Sequence, residues 1–218
     1  MEELLNEFSS FFSEYSYPFV FLLIFLLSAI PILTPPTWMI VVSAYTLHED
    51  FNPIILSIIG AIATTFGRII LSKYSSFGRK IISNKRKNSL ERLKKYLEKT
   101  KYGYFLTTFV FAILPLPSNM LFISYGLMKV RSIGIIIGFF LGRFIVYLIM
   151  IQVTKGFFQT LYEITNNNLL SVAIVDIIGV IITIIVLMID WEEVITNRKF
   201  VLIKPQIAYN ISKFFKSK

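Results

Sequence analysis

Proline at the centre of an apolar segment is the feature that most restricts this chain. Residues 18–47 hold Pro31, Pro35 and Pro36 near their middle, and residues 104–128 hold Pro115 and Pro117. Proline has no amide hydrogen and pushes the preceding residue away from helical geometry, so each segment divides into two short helices. Halves of about 10–15 residues cannot cross a hydrocarbon core of about 30 Å. Two such halves joined by an irregular tip make a re-entrant hairpin, tolerated in a bilayer only where its backbone faces protein or a water-filled cavity. The alternative is one kinked span through each segment.

Three further segments read as simple spans: 53–73, 132–152 and 169–189. Each has the roughly 20 apolar residues that a transmembrane helix needs. Hydrophobic residues make up 55% of the 218-residue chain and charged residues 16%, which favours lipid over water as the solvent of these segments. With no Cys, disulfides and thiolate sites are excluded, and His48 as the one histidine leaves no basis for a metal site or a metal cofactor. Residues 1–17 are acidic where a secretory signal would be basic, so the first apolar segment is expected to be retained.

The net charge of +9 would suggest nucleic acid in a soluble protein, but its distribution points to topology and not to nucleic acid. Residues 1–67 contain no Lys or Arg, whereas eleven basic residues fall between Lys73 and Lys101. The positive-inside rule therefore puts the N-terminus outside and the linker 79–103 in the cytoplasm. If residues 104–128 return to their own side, Lys129 and Arg131 are also cytoplasmic, only Lys155 lies in the next external loop, and the basic tail 190–218 ends inside. Two full spans would instead leave Lys129 and Arg131 outside. The expected location is the cell membrane, multi-pass.

The linker places Leu90, Leu93 and Leu97 at helical spacing, with Asn88 and Glu91 as N-cap and capping-box partner. It reads either as an interfacial helix whose cations meet anionic lipid headgroups or as a solvated helix over the cytoplasmic face. Residues 1–17 could form a surface helix on the other side.

The two halves resemble each other. "AIPILTPPTWMIVVSAYTL" is similar to "AILPLPSNMLFISYGLMKV", and Gly67-Arg68 corresponds to Gly142-Arg143. With hairpins entering from opposite sides, the repeats 18–78 and 104–156 are inverted, an arrangement that places a substrate site where the tips meet. Gly60, Thr64 and Gly67 in one repeat, and Gly134, Gly138 and Gly142 in the other, mark helix faces on which backbones can approach closely. The fold class expected is all-α and integral to the membrane: an inverted repeat of re-entrant hairpin plus transmembrane helix, with an additional C-terminal transmembrane helix.

Over residues 18–156 the chain resembles the DedA family, also called the VTT or SNARE-associated domain family. The proline-centred "AIPILTPPT" and "AILPLPSN", the two glycine-arginine pairs, and "YSSFGRK" ahead of a basic linker carry the resemblance. It implies a membrane protein that moves lipids, either recycling polyprenyl phosphates or scrambling phospholipids. Proton-linked members carry an acidic residue in the first hairpin, and residues 15–48 here contain none.

Charged groups within apolar spans are costly and usually paired or functional. Arg143 lies near the centre of its span and reads either as a phosphate contact or as the partner of Asp176, which could itself bind a proton. Arg68 lies nearer its helix end, where it reads either as a second substrate contact or as a residue that snorkels. At the hairpin tips, Thr34, Thr37, Ser118 and Asn119 stand beside prolines, and half-helix N-termini there could hold a phosphate. Thr37 and Ser118 also fit simple N-cap roles. Trp38 suits either an interfacial anchor or a cavity wall.

The leading expectation is thus a flippase or scramblase for a phosphate-bearing lipid, with membrane lipids as partners and a homo-oligomer compatible with the pattern. The alternative is a non-transporting scaffold or assembly factor on the same fold. A membrane phosphatase or phosphotransferase would need clustered carboxylates, histidines or a nucleophile with its base, so no enzyme is expected.

Overall fold

The computed structural model describes residues 16–31, 36–47, 51–114 and 118–188. The expected surface helix 1–17 and the tail 190–218 therefore lie, apart from Ser16 and Tyr17, outside the described residues, as do Thr34, Pro35, Pro115 and Pro117. The described residues are helical, without strands.

Both proline-centred segments are divided into short helices. Helix α1 covers Ser16–Ala29 and α2 covers Thr37–Leu47, with Pro31 and Pro36 in the break between them. The second segment gives α5, Gly103–Ile113, and α6, Ser118–Leu127. Neither segment is one continuous helix.

Helix α3, Pro53–Phe77, begins where Asn52 accepts hydrogen bonds from the amides of Ile54 and Ile55 and Pro53 occupies the first turn. It runs past the expected end at Lys73 into a 3-10 turn, Gly78–Lys80. Helix α7, Ile133–Thr165, is capped by the Ser132 hydroxyl. It does not stop at Gln152. Lys155 sits on the helix, not in a loop, because no residue before Asn166 breaks the pattern and Gly156 alone costs only about 1 kcal/mol. Asn166 closes the helix in the left-handed conformation with φ 52°. Both α3 and α7 are long and apolar enough to cross a membrane. At 1.5 Å per residue their lengths are about 37 and 50 Å.

The linker helix α4 spans Asn84–Lys99, and its N-cap is Ser83, whose hydroxyl accepts from the Arg86 amide. Asn88 lies inside the helix and is no cap: Ser83 already supplies an extended residue with a side-chain acceptor one turn earlier. Leu97 is buried and Leu90 packs on the same apolar cluster, while Leu93 remains exposed. Arg79 secures the approach to α4 by bonding Glu91 at 2.8 Å and the Leu127 carbonyl at 3.0 Å.

Packing crosses between the halves. Helix α1 lies along α3 and α5 along α7, but α2 packs on α7 and α6 on α3, with α3 and α7 in contact. One apolar core joins Val20, Ile24, Val41 and Leu56 to Val146 and Ile151. The other joins Leu71 to Phe122, Tyr125 and Phe139. Trp38 belongs to the first core, so it is a wall residue and not an interfacial anchor.

The chain separates into two compact units, 1–177 and 178–218. Helix α8, Asn168–Leu187, runs from the first into the second and overlaps the expected span 169–189 from its start to Leu187.

Candidate functional site

The glycine faces set how closely the helices approach the site. A Cβ on Gly67 would lie 2.5 Å from Ser28 Cβ and 2.7 Å from the Phe25 carbonyl of α1. On Gly142 it would lie 2.6 Å from Ala112 Cβ and 2.9 Å from the Phe109 carbonyl of α5. Gly138 meets the Phe105 carbonyl at 2.6 Å. Gly60 is opposed by the side chains of Val41 and Tyr147, and Gly134 is looser, with its nearest atoms at 3.4 Å. Each glycine-arginine pair thus presses its glycine against a half-helix and turns the next residue inward.

Arg68 is 4% exposed and does not snorkel. Its Nη1 donates to the Ser28 carbonyl at 2.8 Å, because the close packing of α1 on Gly67 leaves its guanidinium no open path to water. Arg143 is likewise buried, donating from Nη2 to the Ser118 hydroxyl at 3.2 Å and stacking its cation 5.3 Å from the Phe139 ring centre. Arg68 and Arg143 each stand one turn from a member of the hydrogen-bonded pair Thr64 and Tyr147, on the contacting helices α3 and α7. The Nε of each is buried without a hydrogen-bond partner.

Tyr147, one turn beyond Arg143, ties the cluster together. Its hydroxyl is 2.6 Å from Thr37 Oγ1 and 2.7 Å from Thr64 Oγ1, and Thr64 also donates to the Gly60 carbonyl. Thr37 and Ser118, the first residues of α2 and α6, therefore both reach the same buried polar cluster from opposite halves, so their hydroxyls do more than cap helices. Asn119 is half-buried on the first turn of α6. Thr34 lies outside the described residues.

Asp176 stands apart from this cluster. Its Oδ2 accepts from the Ser43 hydroxyl at 3.0 Å. Among the described residues the ion pairs are Arg79–Glu91 and Lys94–Glu98, so the expected Arg143–Asp176 pair is not formed: each finds its partner on a different half-helix. Among the described residues no cluster of His, Cys, Asp and Glu could hold a metal.

Tyr147, Ser28 and Ser43 escaped sequence reasoning. Tyr147 alone left a trace, as an aromatic hydroxyl four residues from Arg143 and hence on the same helix face. No protein-family model, curated protein or solved structure matches the chain.

Proposed function

We propose that the chain is a multi-pass membrane protein that moves a phosphate-bearing lipid, such as a polyprenyl phosphate or a phospholipid, across a bilayer as a flippase or scramblase. The observation that carries this reading is the buried pair Arg68 and Arg143, which has no carboxylate bonded to it among the described residues and retains an unbonded Nε on each member. Two like charges buried together cost several kcal/mol, and an anion between them would offset much of that cost. Phosphate suits the site because guanidinium offers it paired, directional donors. The starts of α2 and α6, helix ends that favour anions, adjoin Arg143 through Thr37, bonded to Tyr147 one turn away, and through Ser118, bonded to Arg143 itself.

Placement in lipid is supported by an apolar stripe along α7. Ile137, Leu141, Ile145 and Ile149 recur every four residues and are all exposed, a surface that water would solvate poorly. The inverted repeat is supported by equivalent contacts. Phe21 stacks on Phe25 in α1 as Phe105 stacks on Phe109 in α5, and Gly67 meets Phe25 as Gly142 meets Phe109. The exchange of α2 and α6 between the long helices is the packing expected of two halves related by a two-fold axis.

The test is reconstitution of the full chain into liposomes containing a fluorescent phospholipid or a polyprenyl phosphate. Arg143→Gln and Arg68→Gln should each slow lipid movement at least tenfold while the protein stays folded, a loss of about 1.4 kcal/mol or more of headgroup stabilisation. Undiminished movement in a folded Arg143→Gln variant would remove the headgroup role. A wild-type chain that moves neither lipid would favour the scaffold reading.

A further inference from the structure

We infer that a second lipid site, separate from the arginine pair, lies in a groove between α3, α6 and the start of α7, and that it holds an anionic phospholipid. The groove has a volume of about 970 Å³ and shares no lining residue with the Arg68–Arg143 cluster. Its walls are apolar, including the buried Phe122 and the exposed Phe77 and Ile133. Around them stand Lys73, Lys129 and Arg131, all exposed, and no carboxylate lines the groove. None of these three cations belongs to an ion pair among the described residues.

Local structure explains both the groove and its charge. Gly126 of α6 lies directly against the Ser72 carbonyl of α3, so the two helices touch there and form a floor instead of separating. Helix α6 then ends in a Schellman turn, in which the Val130 amide bonds the Tyr125 carbonyl at 3.1 Å and the Lys129 amide bonds the Gly126 carbonyl at 2.9 Å. The left-handed position of that turn is Lys129, with φ 53°, where glycine would be unstrained. The turn sets Lys129 and Arg131 on the groove opposite Lys73 of α3. A second hollow continues from it past Ser76, Phe77 and Lys129 to Lys80 and Lys87, again without a carboxylate.

An acyl chain fits the apolar wall, and a phosphate fits the cations. A free phosphate would leave Phe77 and Ile133 uncovered. A second copy of the chain would have to bring carboxylates that the described surface offers only sparsely. Each juxtamembrane cation contributes on the order of a fivefold gain in affinity for an anionic headgroup. The site rests on the proposal that the chain sits in a bilayer, but not on lipid transport.

The test uses the purified full chain in neutral detergent, with bound phosphatidylglycerol measured by native mass spectrometry against phosphatidylcholine and against soluble glycerol phosphate. The triple variant Lys73→Gln, Lys129→Gln, Arg131→Gln should lose roughly a hundredfold in phosphatidylglycerol affinity. The control triple Lys85→Gln, Arg92→Gln, Lys95→Gln on α4 should retain wild-type affinity, and both triples should melt as the wild type does in lipid-free detergent. Ile133→Asp, which places a carboxylate on the apolar wall, should also lower phosphatidylglycerol binding. Equal loss in both triples, equal retention of phosphatidylcholine, or binding of glycerol phosphate as strong as that of the lipid would each overturn the site. The groove triple should show the same loss when built into the Arg143→Gln background, so the groove is read independently of the headgroup role proposed for Arg143.

Discussion

At the scale of single residues, space decides more than chemistry at the glycines. Gly67 and Gly142 lie against backbone and Cβ atoms that cannot rotate away, whereas a Cβ on Gly156 would meet nothing within 4 Å. Gly67→Ala and Gly142→Ala should therefore each destabilise the fold by about 1–3 kcal/mol, the usual cost of overpacking, and Gly156→Ala should slightly stabilise its helix. Thermal melting of the three purified variants checks this; equal melting temperatures would contradict the close packing. Tyr147→Phe removes a hydroxyl shared by Thr37 and Thr64. Thr64 keeps its bond to the Gly60 carbonyl, but the Thr37 hydroxyl loses its bond to Tyr147, so the change should cost about 1–2 kcal/mol. Asp176→Asn and Arg143→Gln should affect stability additively, since the two groups bond to Ser43 and Ser118 and not to each other. A coupling of more than about 0.5 kcal/mol in the double variant would restore the ion pair. Arg68, Arg143, Thr37 and Ser118 were legible in the sequence because polar groups are rare in apolar segments. Tyr147 was not, since an aromatic ring there reads as apolar bulk, and the pairing of each arginine depends on which half-helix packs against it.

Helix breaks were legible at the scale of elements because proline acts locally, on its own φ and on the residue before it. Helix ends were less so. The expected end of α7 at Gln152 came from bilayer thickness, a property of the solvent, while the helix itself continues until Asn166 supplies a left-handed cap. The same limit applies to α4, where two residues of capping type, Ser83 and Asn88, compete, and only the backbone decides between them. The leucine spacing in α4 correctly marked an amphipathic helix, but not which leucine anchors it. Leu97 is 5% exposed and Leu93 43% exposed. Leu97→Ala should cost about 2–4 kcal/mol and release α4 from the apolar cluster beneath it, whereas Leu93→Ala should be close to neutral. Limited trypsin digestion reads this directly, because α4 is rich in Lys and Arg: cleavage within 84–99 should rise sharply for Leu97→Ala alone. Similar digestion of both variants would mean that the helix is held by Arg79–Glu91 and its loops and not by apolar burial.

The whole molecule depends on which half-helix packs on which long helix, and this was the least legible level. Sequence similarity between the halves suggested a repeat, yet the exchange of α2 and α6 is a tertiary choice that no local pattern encodes. Charge asymmetry, by contrast, is readable over the full length and yields a test of orientation. On the proposed placement, α7 starts near the basic face at Ile133 and needs only about 20 residues to cross a core of about 30 Å. Its last three turns, Val153–Thr165, would then project beyond the opposite surface, carrying the exposed Gln159 into water. The linker helix, with the exposed Asn88, would lie on the cytoplasmic side. Since the chain contains no Cys, single substitutions Asn88→Cys and Gln159→Cys provide one labelling site each. In intact cells a membrane-impermeant maleimide should label Gln159→Cys and leave Asn88→Cys unmodified until the membrane is opened. The reverse pattern would invert the topology while preserving the spans. Labelling of both positions from outside would be more damaging, because the linker and the end of α7 would then share a side, which a segment 104–128 that returns to its own side followed by one crossing of α7 does not allow.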